Sequence, residues 1–113
     1  MALVVCRAVK VLCVAADEAA LAALRRAAVG AAWELAPGAT DLRGALDQID
    51  IERPHALVVF GPFEDLVALV ADRFPGMRIV TDRDAPGTSA VATSLSDVRD
   101  RLTQLPRPGG PVR

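Results

Sequence analysis

Apolar positions change their period along this chain, and each change marks an element. Residues 9–14, Val-Lys-Val-Leu-Cys-Val, form a β-branched run with a single charge, which reads as a strand covered on both faces in a parallel sheet. Asp17 and Glu18 open an Ala-rich helix that runs to Val29, with Asp17 as N-cap. Leu21, Leu24 and Ala28 form its inner stripe, Arg25 and Arg26 its solvent edge, and Gly30 its end. Residues 33–36 alternate as a short strand stopped by Pro37 and Gly38. Thr40 is placed to cap a second helix whose Leu42, Ala45, Leu46 and Ile49 fall at i, i+3, i+4 and i+7, with Pro54 ending the connection.

The most apolar segment follows. Residues 56–60, Ala-Leu-Val-Val-Phe, belong at the centre of the sheet, and Gly61-Pro62 turns the chain into a third helix from Glu64 to about Phe74. Its inner face is Leu66, Leu69, Val70 and Phe74, and Pro75-Gly76 breaks it. Residues 77–81 and 89–93 read as a fourth and a shorter fifth strand; residues 82–88, broken by Pro86 and Gly87, are too few to hold a helix of normal length. Ser94 or Ser96 caps the last helix, with Val98, Leu102 and Leu105 inward and Pro106 as its stop. The order (βα)₃ββα predicts an α/β fold with a doubly wound parallel sheet. Residues 1–105 are expected to form one domain and residues 106–113 a flexible tail.

Composition narrows the function classes. At 113 residues the chain has room for one domain. With three Phe, one Trp, no Tyr and a net charge of −1, it offers neither stacking platforms nor a basic footprint, so nucleic acid is not an expected partner. Cys6 and Cys13, seven residues apart on one extended stretch, would lie roughly 23 Å apart at about 3.3 Å per residue and cannot pair within the chain. Arg7 and Lys10 interrupt the apolar N-terminal stretch, and bulky Val5 precedes Cys6 where a lipidated cysteine needs a small neighbour. Neither a cleaved export signal nor a membrane span is expected, which makes the expected location cytoplasmic.

Residues 11–18, Val-Leu-Cys-Val-Ala-Ala-Asp-Glu, the helix that follows them, and residues 54–60, Pro-His-Ala-Leu-Val-Val-Phe, resemble the receiver domain of two-component response regulators over residues 9–105. The resemblance implies a flavodoxin-like, five-stranded parallel sheet in three α/β/α layers, here with the helix between strands four and five shortened or absent. It also implies a pocket at the carboxyl edge of the sheet. There the family carries an acidic pair that binds Mg²⁺, an Asp that accepts phosphate, a Thr or Ser, and a Lys. In this chain the acidic pair falls on Ala15 and Ala16, the acceptor on Phe60 and the Lys on Thr93 or Ser94, leaving Thr81 as the one family-like residue. Ala and Phe offer neither a nucleophilic carboxylate nor hard oxygen ligands, so phosphotransfer is not carried over.

A displaced acidic site would draw on Asp17, Glu64, Asp65, Asp82 and Asp84, with Asp17, Asp82 and Asp84 as its candidate ligands, yet helix capping and solvated loop charge account for these carboxylates without a ligand. His55, the only histidine, precedes a buried strand at the end opposite the pocket. No glycine-rich phosphate loop follows the first strand. No metal, cofactor or catalytic residue is therefore expected. Loss of a covering helix would leave Ile79, Val80, Val91 and Ala92 less shielded, and a partner protein or a second copy is the expected cover, with Leu3, Val4 and Val5 as further apolar padding. The sequence thus reads as a phosphorylation-independent pseudo-receiver, a non-enzymatic protein–protein interaction module in signalling that is expected to be homodimeric; the alternative is a small-molecule or nucleotide sensor that binds at the carboxyl edge.

Overall fold

The computed structural model describes residues 9–30, 33–83 and 87–104. Five parallel strands are β1 (Val9–Ala15), β2 (Trp33–Leu35), β3 (Ala56–Phe60), β4 (Arg78–Thr81) and β5 (Ala90–Val91). They lie side by side in the order β2-β1-β3-β4-β5. The helices are α1 (Glu18–Ala28), α2 (Leu42–Glu52), α3 (Glu64–Arg73) and α4 (Leu95–Gln104). This is the flavodoxin-like order, with the most apolar strand, β3, at its centre.

Because side chains alternate across a strand, the sheet builds two separate cores. Leu12, Val14, Leu57, Val59 and Ile79 pack with Ala45 and Ile49 of α2 and with Leu66, Val67 and Val70 of α3. On the other face Val11, Cys13, Ala15, Val58 and Val80 pack with Leu24 and Ala28 of α1 and Val98 and Leu102 of α4. Three layers result. Val11–Ala15 of β1 and Ala56–Val59 of β3 are buried on both faces, which is why these strands read as continuous apolar runs.

Local chemistry sets the helix ends. Asp17 caps α1, its Oδ1 accepting the Ala20 N–H at 2.8 Å. At the other end of α1 the Trp33 indole donates to the Ala28 carbonyl at 2.6 Å, and Gly30 lies where a Cβ would run into that ring. The second helix is capped by Asp41, not Thr40: the Asp41 carboxylate accepts the Gly44 N–H at 2.6 Å. Starting one residue later than a Thr40 cap would imply, the helix keeps Ala45 and Ile49 inside but leaves Leu42 exposed. In α3 the inner face is Leu66, Val67 and Val70, while Leu69, expected inside, is only half-buried. Arg26 is exposed as expected, but Arg25 is half-buried, with its Nε shut away from any hydrogen-bond partner among the described residues.

One expectation fails outright. Ile79, Val80 and Ala92 are fully buried, and only Val91 is half-exposed, so β4 and β5 present no open apolar face. Helices do the covering: Ile79 packs in the core with α2 and α3, and Val80 and Ala92 in the core with α1 and α4. The Ser89 hydroxyl accepts the Ile79 N–H, and the Ser89 N–H donates to the Ile79 carbonyl at 2.7 Å. Gly87 packs directly on α3: a Cβ there would sit 2.6 Å from that of Ala71, and its φ of +94° is one that side chains disfavour. The described part of the connection after β4 holds no helix; Ser89 pairs with the edge of β4 and Gly87 lies against α3. Cys6, Leu3, Val4, Val5, Asp84, Leu105 and the 106–113 tail lie outside the described residues.

Candidate functional site

In open parallel sheets ligands bind beyond the carboxyl ends of the strands, where the strand order reverses. In this chain that place lies between the ends of β1 and β3. Ala15 and Phe60 are register partners there. Ala15 is fully buried, and the Phe60 ring is partly buried against the α1–α4 core. Ala16 emerges at the surface, and the Gly61 turn closes over it: a Cβ on Gly61 would stand 3.7 Å from Ala16 and 3.1 Å from the Phe63 ring, at a φ of +126°. Two methyl groups, an aromatic ring and a bare backbone therefore form the floor of the crevice.

Polar groups surround this floor, and each is already engaged. The Asp82 carboxylate accepts the Gly61 N–H at 3.2 Å, tying the turn after β3 to the end of β4. Arg83 forks onto the same carboxylate, Nε to Oδ1 at 3.1 Å and Nη2 to Oδ2 at 3.3 Å, and reaches Glu64 Oε2 at 3.4 Å. These carboxylates raise the Arg83 guanidinium above its ordinary value, Asp82 by hydrogen bond and charge foremost. Thr81 is buried, and its hydroxyl donates to the Arg83 carbonyl while lying 3.3 Å from that of Thr88.

The remaining sequence candidates fall elsewhere. Thr93 and Ser94 are exposed at the start of α4, where the Thr93 N–H donates to Asp97 and the Ser94 hydroxyl meets that of Ser96. They serve the helix start. Asp17 is occupied as an N-cap. His55 sits at the amino end of β3, its Nδ1 accepting the Lys10 N–H at 3.1 Å. Cys13 is buried mid-strand, and burial pushes its thiol up to about 12, with Arg25 pulling weakly the other way, so it stays protonated and unreactive at neutral pH.

A Mg²⁺ ion of the kind the receiver fold implies does not fit these residues. The side chains of Ala15, Ala16 and Phe60 supply no ligand oxygen, and the Asp82 carboxylate already holds a backbone N–H and a guanidinium. Among the described residues no three of His, Cys, Asp or Glu come together as a metal site.

Two features escaped the sequence reading. Arg83 was one charge among many in a broken loop; its link to Glu64, nineteen residues away, exists only once β3 and β4 are neighbours. The other is a shallow groove of ≈ 330 Å³ lined by Ala27 of α1 and by Leu95, Ser96, Arg99 and Asp100 of α4. Only the packing of α1 beside α4 on one face of the sheet creates it.

No protein-family model matches this chain, and no curated protein does. Solved structures do. The signal receiver domain of an HD domain-containing protein from Pseudomonas fluorescens Pf-5 superposes with a TM-score of 0.68 at 17% identity, covering 86% of this chain and 90% of that one. An orphan response regulator of H. pylori superposes at 0.66 and 10% identity, covering 84% and 93%. With the strand order and the two helix layers, these likenesses establish that the chain has a receiver-like, flavodoxin-like fold.

Proposed function

We propose that this chain is a receiver-like signalling module that works through protein contacts and independently of phosphorylation, with no catalytic step of its own. One observation carries the reading: the carboxyl end of β3 holds Phe60 packed against Ala15, where phosphoryl transfer would need a nucleophilic carboxylate beside hard oxygen ligands. Incubation with acetyl phosphate and Mg²⁺ should leave the mass of the intact protein unchanged, and a stoichiometric phosphoryl adduct would overturn the proposal. The sensor alternative needs the space that Phe60, the Gly61 turn and the Asp82–Arg83 pair already occupy.

As partner we propose a second copy of the chain or another protein. The burial of Ile79, Val80 and Ala92 removes the β4–β5 face as the surface for it. Support shifts to the outer helices, where Leu95, 39% exposed, borders the groove beside Ala27. Light scattering at high concentration, with wild type and Leu95→Glu, tests self-association; a monomer in both proteins counts against the homodimer.

A further inference from the structure

We propose that Asp82, Arg83 and Glu64 form an electrostatic clasp that ties the connection after β4 to the turn after β3 and holds the carboxyl edge of the sheet shut. The clasp is built around one backbone group. Gly61, at positive φ and wedged between Ala16 and the Phe63 ring, has no side chain to anchor its turn; its N–H is held by Asp82, twenty-one residues away. Asp82 is itself fixed from behind, since its own N–H donates to the Val59 carbonyl at 3.2 Å.

Isolated surface ion pairs contribute little, but two-point Arg–carboxylate geometry and networks of several charges are the exceptions. Both apply. Arg83 engages both oxygens of Asp82 and adds Glu64, the first residue of α3. Its backbone is positioned beforehand, because the buried Thr81 hydroxyl grips the Arg83 carbonyl. The guanidinium thus joins the two carboxylates from the start of the connection after β4. The side chains of Arg83 and Glu64 are about half exposed, at 45% and 51%. Salt should therefore screen the clasp while leaving the β ladder beneath it intact.

Amide hydrogen exchange of the full chain, read residue by residue by NMR, tests this directly. At low ionic strength Arg83→Gln should speed Gly61 exchange by roughly two- to fivefold, the range for an exposed pair of good geometry. Glu64→Gln should have a smaller effect, because it removes the longer contact. In about 1 M salt, where the screening length falls to about 3 Å, wild type and both variants should converge. The proposal is overturned if Gly61 exchanges alike in wild type and Arg83→Gln at low salt, if wild-type Gly61 is indifferent to salt, or if β3 amides accelerate equally. This outcome is separable from the phosphorylation test, because the crevice can be inert to phosphate with or without a clasp.

Discussion

The two ends of the sheet are tied by the same kind of device, set at different depths. At the amino edge the Lys10 N–H donates to His55 Nδ1, the His55 N–H donates back to the Lys10 carbonyl, and Lys10 Nζ pairs with Glu52 at 2.9 Å. At the carboxyl edge the Gly61 N–H donates to Asp82, and Arg83 joins Asp82 to Glu64. Each edge has a backbone donor held by a distant side chain and an ion pair across neighbouring elements. A binding site at the end of strands needs unspent polar groups. Among the described residues, Gly61, Asp82, Arg83 and Glu64 engage one another at the carboxyl edge, as Lys10, His55 and Glu52 do at the amino edge. They differ in depth: the Lys10–Glu52 pair is 30% and 23% exposed and the Arg83–Glu64 pair about half exposed, so the amino edge is the more firmly closed.

The comparison breaks most decisively if a charge is returned to the carboxyl edge. Ala15 is fully buried beside Phe60, so Ala15→Asp places an unpaired carboxylate in an apolar core and should lower the free energy of unfolding by about 3–4 kcal/mol. Urea denaturation measures this, and a loss below about 1 kcal/mol would mean that the crevice admits water after all. Next in size is the connection after β4. Gly87→Ala meets Ala71 at 2.6 Å and forces a positive φ on a side chain, and should cost about 1–3 kcal/mol. Thermal unfolding would show it, and a neutral result would mean that the connection does not seal α3 against β4.

The smallest effect concerns the amino edge and sharpens the contrast by pH. Lys10 is raised above its ordinary 10.5, first by its hydrogen bond to Glu52 and then by that carboxylate's charge. A cation whose folded pKa is raised contributes stability that is complete below 10.5 and lost as pH climbs through the folded value. Wild type should therefore lose melting temperature more steeply than Glu52→Gln above that pH, with the two curves parallel near neutrality. Curves that stay parallel throughout would show that the pair contributes nothing.

Much of this architecture was legible beforehand because it depends on local pattern. The runs at residues 9–14 and 56–60 announced buried parallel strands, Asp17 announced its cap, and Pro and Gly marked the breaks. The second cap was misassigned because Thr40 and Asp41 are adjacent and both competent; the backbone gave the role to Asp41. The open face at β4 and β5 was inferred from a missing helix. That inference overlooked the cover the other helices give, with Ile79 packed in the α2–α3 core and Val80 and Ala92 in the α1–α4 core.

The sequence alone determined that residues 15, 16 and 60 carry no carboxylate, because the side chains of Ala15, Ala16 and Phe60 cannot ligate or attack whatever surrounds them. It also determined the alternation of strands and helices, since hydrophobic periodicity is a property of consecutive residues. Only the tertiary structure decided which charges meet at the carboxyl edge. Asp82 reaches Gly61, and Arg83 reaches Glu64, across about twenty residues of chain that parallel pairing of β3 with β4 brings together. Contacts of that separation are set by the sheet, and no local pattern records them.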